Sequence, residues 1–368
     1  MEIGVPRERR PYEYRVGLTP AAVRYLTDEG HTIYVEDQAG KEAGLSNERY
    51  EQAGATIVYE EDEIYTRPEL LVKISRPTYE EIDLMREGLA VMGIMFLHAS
   101  KRDKIETIMR KKLTFVGLEI VEQGGFSPIR GAVARLSGSY VPFIAGQLLS
   151  NLNGGSGVVL GGNPGIPPAE VVIVGAGNSG TAMARKFIDL GAQVTVLDIN
   201  LRKLEQISQM TGSKIVTMMA IPYNLEKVVA YADVLITTAQ VTGQQAPVII
   251  TAEMVKSMRP RSVIIDLAID QGGNCETSHP THHGNPTYVE HGVIHYCVPN
   301  IGSVVARSSS YAFNNALMGP LIPLAKNGLQ WLKHDPLWRS GVVTYEGMVV
   351  NEILKARLDS SVSEQLEG

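Results

Sequence analysis

The sequence predicts an α/β protein of two domains, each built on a parallel sheet. Three observations lead there. Short apolar β-type runs alternate with helical patterns in both halves of the chain, which is how parallel sheets are wound. A glycine-rich turn at Gly175 joins one such run directly to a helix. The 368 residues also exceed one ordinary domain and fit two.

In order, Ile3–Val5 is a short strand candidate. Thr19–Pro20 reads as N-cap and first helical residue, and Ala21, Ala22, Val23 and Leu26 form an apolar stripe that stops at Gly30. Thr32–Val35 follows as a strand. The unit recurs: Ala55–Val58 and Leu70–Ile74, a Glu-rich helix after Thr78, Leu89–Ile94, a charged helix near 101–111, then Leu113–Val116. A longer helix is expected over about 136–152, with a kink at Pro142. The glycine-rich stretch 154–170 cannot build a core, so it precedes a new domain. That domain offers strands at Val171–Val174, Val194–Leu197, Lys214–Val216, Val234–Thr237, Val263–Asp266 and Val293–Cys297. Helices are expected over 308–324 and about 347–358.

Lys and Arg number 34 against 40 Asp and Glu, a net charge of −6, with no basic block, which argues against nucleic acid as the main partner. No window is apolar enough for a membrane span; the closest, 158–174, is broken by Asn163, Glu170 and several prolines and glycines. The N-terminus carries no apolar signal segment, and two cysteines, Cys275 and Cys297, are no disulfide scaffold. A cytoplasmic location is the expectation.

The strongest local signal is the segment 170–200, EVVIVGAGNSGTAMARKFIDLGAQVTVLDIN. Gly175 permits a tight turn, Gly177 lets the backbone approach a pyrophosphate, and Gly180 lets helix and strand pack closely. Asn178 and Ser179 complete the turn at the helix N-terminus, where phosphate charge is attracted. Asp198 ends the second β-run, where a carboxylate accepts from ribose hydroxyls and repels a 2′-phosphate, favouring NAD over NADP.

Other polar groups stand at the ends of β-runs, where open α/β sheets bind ligands. They are Lys73 within LLVKIS, His98 after AVMGIMFL, Asp266 and Asp270 after SVII, and Asn300 after VIHYCVP. A strand lysine can also snorkel at an edge, and a histidine after a strand can be a cap. Arg15 can be a solvated charge. His279, His282 and His283 sit in a Pro-, Thr- and Gly-rich loop without the spacing of a zinc site, so no metal is expected. Cys297 reads as a small buried hydrophobe. Pattern alone therefore stops at an NAD-dependent enzyme of unknown substrate.

The chain resembles the alanine dehydrogenase and transhydrogenase α-subunit family over almost its full length. The resemblance rests on GVPRERRPYEYRVGLTP (4–20), LLVKISRP (70–77), FLHAS (96–100), GVVLGGNPGIPPAEVVIVGAGNSG (157–180), VTVLDIN (194–200), IIDLAIDQGGNCETSHPT (264–281) and HYCVPN (295–300). It implies two Rossmann-like domains with parallel sheets and a cleft between them. Residues 1–134 and 308–368 would form the substrate domain, and 135–307, with its connecting helix, the NAD domain. It also implies a homo-oligomer, typically a hexamer, and reversible oxidative deamination of L-alanine to pyruvate and ammonium. On that pattern Arg15 and Lys73 bind the substrate carboxylate, with Asn300 also lining the site. His98 bonds the substrate oxygen and Asp270 handles water and ammonia. Lys203, Ala239, Gln240, Ile269, Asp270 and Asn300 join the glycines and Asp198 around the cofactor.

The chain departs from the family at four places. Lys73-Ile74-Ser75-Arg76-Pro77 stands where the family usually reads Lys-x-Lys-Glu-Pro. Val133-Ala134-Arg135 replaces the usual Met-Ser-Glu, and Leu136-Ser137-Gly138 stands in the segment that usually carries Ala-Gly-Arg. Pro299-Asn300-Ile301-Gly302 replaces Ala-Asn-Met-Pro, and the segment after His98 is about two residues shorter. These changes bear on the pocket that selects the side chain, where one methylene discriminates by only about 1–3 kcal/mol. The competing readings are a dehydrogenase of another 2-amino acid or an opine-type substrate, a transhydrogenase subunit, and a non-catalytic NAD-binding regulator.

Overall fold

A computed structural model of the chain describes residues 1–97, 100–240 and 245–366. It divides into two compact units, Met1–Val133 with Ser303–Gly368, and Ala134–Gly302. The strands are, in chain order, β1 (Glu2–Val5), β2 (Thr32–Glu36), β3 (Thr56–Val58), β4 (Leu70–Ser75), β5 (Ala90–Ile94), β6 (Thr114–Gly117), β7 (Glu170–Val174) and β8 (Gln193–Asp198). They continue with β9 (Val216–Met219), β10 (Val234–Thr237), β11 (Val263–Asp266), β12 (Thr287–Glu290), β13 (Val293–Tyr296), β14 (Val342–Tyr345) and β15 (Met348–Val349).

The first unit holds an eight-stranded sheet in the order β15-β14-β6-β5-β4-β1-β2-β3. All its pairings are parallel except those of β14 with β6 and β15. Strands buried on both faces should read as continuous apolar runs. Leu70, Leu71, Val72 and Ile74 of β4 accordingly have no exposed surface. The strand order turns back between β1 and β4. Such a switch point opens a crevice outside the carboxyl ends of the strands, where ligands bind.

The second unit holds a seven-stranded sheet in the order β12-β13-β11-β10-β7-β8-β9, with only β12 antiparallel. Its switch point lies between β7 and β10. Helix Asn178–Asp189 follows β7 and buries Met183, Ala184 and Phe187 in the same core as Val171, Ile173, Val194 and Val196.

Some elements fall elsewhere than the sequence predicts. The helix expected over 136–152 spans Pro128–Leu149 as one element, with Pro142 inside it. The strand expected at 214–216 lies at β9 instead, because a turn occupies Thr211–Lys214, with Ser213 at positive φ. The largest difference is near the C-terminus. A hairpin, β14 and β15, precedes the last helix, which begins only at Glu352. Glu346 and Gly347 both have positive φ, the geometry of a tight two-residue hairpin turn. Thr344 locks β14 beside β6: its Oγ1 donates to the Leu113 carbonyl at 3.0 Å and accepts from the Phe115 amide at 3.1 Å.

Candidate active site

The second unit supplies a dinucleotide cradle. Gly175 sits at φ +114°, and a Cβ there would meet Thr238 at 2.9 Å. At Gly180 a Cβ would lie 1.9 Å from the Gly175 carbonyl oxygen, so any side chain would push helix from strand. Gly177 is the opposite case. It is the N-cap of the helix, no side chain caps that end, and a Cβ there would project into open space. The first turn of a helix leaves orphan N–H groups with partial positive charge. Open space at Gly177 and an uncapped N-terminus at Asn178 and Ser179 therefore fit a pyrophosphate.

Asp198, at the end of β8, is buried and fixed by the backbone. Its carboxylate accepts from the Ala176 amide at 2.7 Å and the Asn200 amide at 2.8 Å. A carboxylate offers about four lone-pair sites, so two remain for hydroxyl donors. Lys203 follows on the exposed face of helix Leu201–Met210, one turn past its N-cap Asn200.

The loops after β10 and β11 are joined by two buried residues: Asp266, a strand-end candidate in the sequence that here holds backbone amides, and Asn274, which the sequence did not single out. Asn274 accepts from the Ala239 amide at 3.0 Å and donates to the Ala239 and Pro247 carbonyls at 3.0 and 2.8 Å. Asp266 accepts from the amides of Ala268, Asn274 and Cys275. Together they tie Ala239 to the segment after β11, whose turn Ile269–Gln271 carries Asp270 at the surface. Gln240 follows Ala239 and is exposed. Asn300 holds a positive φ of 66°, and His283 Nε2 lies 3.4 Å from its carbonyl oxygen. His279 stacks on Tyr288 at 3.6 Å, and Tyr288 on His295 at 5.0 Å. Cys275 and Cys297 are free and buried, and burial pushes both thiols up, which makes them poor nucleophiles.

Arg15 and Lys73 belong to the first unit, where they join one buried charge network. Arg15 grips Glu13 with two parallel hydrogen bonds, Nε and Nη2 each at 2.7 Å. Lys73 has no exposed surface; its Nζ lies 2.5 Å from Glu81 Oε1 and 3.4 Å from Glu8 Oε2. Burial alone would lower the Lys73 pKa, but Glu8 and Glu81 outweigh it and hold it above the usual lysine range. Burial raises the Glu8 carboxyl; Lys73 opposes this, while the charges of Glu13 and Glu81 add to it. Glu8 also accepts from the Ile74 amide at 2.7 Å and from the Ser75 hydroxyl.

Glu81 is fixed from three sides. It receives Lys73 Nζ and, at 2.9 Å, the Tyr65 hydroxyl on one oxygen, and the Thr78 amide at 2.7 Å on the other. Thr78 and Glu81 form a capping box that starts helix Tyr79–Leu84. The Thr-x-x-Glu spacing signals that box, but nothing in the sequence signals its link to Lys73. Glu119 is another unpredicted group: it is buried and accepts from the amides of Met95 at 2.9 Å and Phe96 at 2.6 Å. Burial raises its carboxyl above the usual range, against the pull of those amides. That turn leads to His98, which lies outside the described residues.

A doubly wound unit with this cradle defines a dinucleotide-binding protein of the Rossmann class. The family follows from comparison with known proteins. Residues 4–128 match the model for the alanine dehydrogenase/PNT N-terminal domain, and 142–352 the model for its C-terminal domain. An alanine dehydrogenase of Methanococcus maripaludis is 38% identical over 356 residues, covering 96% of this chain and 95% of that one. A solved L-alanine dehydrogenase superposes with a TM-score of 0.93 at 37% identity, over 98% of this chain and 99% of that one. A transhydrogenase from Sinorhizobium meliloti shares the fold, with a TM-score of 0.79 at 24% identity, over 96% and 99% of the two chains. The chain belongs to the alanine dehydrogenase/PNT family and is an oxidoreductase of it. Among the described residues, no helix is long and apolar enough to cross a membrane.

Proposed function

We propose that the protein catalyses NAD-dependent, reversible oxidative deamination of L-alanine. L-Alanine, water and NAD⁺ give pyruvate, ammonium, NADH and a proton. The observation that carries the cofactor reading is Asp198, whose carboxylate is fixed by two backbone amides at the end of β8. A fixed carboxylate there suits two ribose hydroxyls and repels a 2′-phosphate. Gly175, Gly177, Asn178, Ser179 and Gly180 would hold the pyrophosphate. Lys203, Ala239, Gln240, Ile269, Asp270 and Asn300 would border the rest of the dinucleotide. When bound, the dinucleotide supplies the hydride acceptor.

This chain's own residues bind, orient and move protons. Arg15 and Lys73 would hold the substrate carboxylate, with Asn300 beside the substrate. His98 would exchange a proton with the substrate oxygen, and Asp270 would take one from the attacking water. Assembly as a homo-oligomer, a hexamer on the family pattern, and a cytoplasmic location belong to the same proposal.

A second reading is a dehydrogenase of another 2-amino acid or an opine-type substrate. The observation that favours it is that Lys73 is already compensated by two carboxylates, while Ser75 and Arg76 stand where the family usually has Lys and Glu. The test is NADH formation by the purified protein with NAD⁺ and a panel of 2-amino acids. Preference for alanine supports the first reading, and preference for a larger member the second. No turnover of any 2-amino acid rejects both.

A further inference from the structure

Beside the Lys73 network lies a second group of charges, all of one sign. Arg10 follows β1, Arg76 follows β4, and Lys104 follows β5. Arg10 and Arg76 thus follow the carboxyl ends of the two strands at the switch point of the first sheet, and Lys104 reaches the same segment from the first turn of helix Arg102–Arg110. They are also tied to one short stretch of backbone. Arg10 Nε donates to the Arg76 carbonyl at 3.1 Å, and Lys104 Nζ donates to the Pro77 carbonyl at 2.7 Å. Consecutive Cα atoms are about 3.8 Å apart, so two cations are pinned to neighbouring peptide units.

Crowding like charges is unfavourable unless an opposite charge joins them, most of all around a buried one; here Lys104 is buried, and Arg10 and Arg76 are half-buried. Lys104 is only 6% exposed, and its ammonium lies 4.5 Å from the centre of the Tyr79 ring. Among the described residues, neither Arg76 nor Lys104 forms a salt bridge with a carboxylate. Burial first, then Arg10 and Arg76, push the Lys104 pKa down to about 8; Glu81 and Glu80 oppose this without reversing it. Glu81 is already shared among Lys73, Tyr65 and the Thr78 amide. An anion meeting Arg76 and Lys104 would offset that repulsion.

We propose that Arg10, Arg76 and Lys104 form a subsite for a carboxylate carried on the side chain of the substrate, making the preferred substrate a dicarboxylic 2-amino acid. The inference rests on the second reading above. Arg supplies a planar fork for a carboxylate, and Lys supplies a point charge. One charge-assisted hydrogen bond changes affinity by roughly 10- to 100-fold.

The experiment compares kcat/KM for aspartate and glutamate with their neutral isosteres asparagine and glutamine, and with alanine, in wild type and Arg76→Gln. The expected result is a preference of at least about tenfold for an acid over its amide and over alanine, falling towards unity in Arg76→Gln. Equal use of acid and amide, or preference for alanine, overturns the subsite while leaving a 2-amino-acid dehydrogenase in place. If no 2-amino acid is turned over, the functional reading itself fails. The subsite is then judged by calorimetric titration of succinate into wild type and Arg76→Gln. Binding that is lost in the variant upholds a carboxylate subsite; no binding by wild type overturns it. Succinate binding without acid-over-amide preference in an active enzyme identifies a site for free anions and overturns the substrate assignment. Lys104→Met is the second variant, should Arg76→Gln fold poorly, with the same expected loss of preference.

Discussion

Glu81→Gln is the sharpest test of the buried charge network. The substitution keeps the shape of the side chain and one acceptor, but removes the charge that faces Lys73 Nζ at 2.5 Å. Lys73 has no exposed surface, so water cannot replace the lost partner. Glu8, 3.4 Å away, becomes its only close carboxylate in the network. Breaking a buried pair from one side costs about 3–5 kcal/mol. Because Glu8 remains, the lower end applies, about 3 kcal/mol. Either the Tyr65 hydroxyl or the Thr78 amide also loses its acceptor, adding about 1 kcal/mol. For a unit of roughly 200 residues, each kcal/mol lowers Tm by about 2–4 °C, so the total is about 8–16 °C. Differential scanning calorimetry measures it. The control is the double variant Lys73→Met, Glu81→Gln, which removes both charges and should recover at least about 1.5 kcal/mol relative to Glu81→Gln. A loss below about 1 kcal/mol for Glu81→Gln, or a double variant no more stable than Glu81→Gln, would refute the reasoning.

Gly177→Ala should leave stability within about 0.5 kcal/mol but raise KM for NAD, because its methyl enters open space at the helix N-terminus. Gly180→Ala should cost about 3 kcal/mol or more, since its Cβ would lie 1.9 Å from a carbonyl oxygen; urea unfolding separates the two variants. Asp198→Ala should reduce the preference for NAD over NADP by about 10- to 100-fold in kcat/KM, and cost about 1–3 kcal/mol by orphaning the Ala176 amide. The raised Glu119 carboxyl means that the native state retains a proton the unfolded chain has lost. Its contribution is therefore full below the ordinary value of 4.5 and declines as pH rises through the native pKa. Glu119→Gln should flatten the decline of stability as pH rises above the ordinary value of 4.5, and an unchanged slope would place the proton elsewhere.

The cradle was legible because its requirements are local. A turn at positive φ, a close approach and a terminal acid all fall within 31 consecutive residues, and each admits few residue types. The β14–β15 hairpin was not legible, because it is held by a partner strand far away in sequence: Thr344 bonds Leu113, 231 residues earlier. Its turn is Glu346-Gly347 rather than Asn-Gly, so the usual hairpin signal is weak. The charge network was half legible. Arg15 and Lys73 could be named, but Glu8, Glu13 and Glu81 are three of 40 acids, and only parallel pairing of β1 with β4 brings the first near Lys73.

The same network gives the Ser75-Arg76 departure a physical meaning. Ser75 touches Glu8 through its hydroxyl, so it can retain a hydrogen bond at that position without adding a positive charge. Glu8 then has Lys73 as its nearest cation, and its carboxyl rises because burial and the neighbouring acids outweigh that one partner. The positive charge has instead moved one residue on, to Arg76, whose carbonyl holds Arg10 and whose neighbour Pro77 holds Lys104. A change that looks like loss of a ligand in the sequence is, in the fold, a transfer of charge from a neutralised interior network to an adjacent cluster in which, among the described residues, Arg76 and Lys104 form no salt bridge. Charge placed where it repels its neighbours costs stability, so its presence at a switch point is more readily explained by what it binds than by what it holds together.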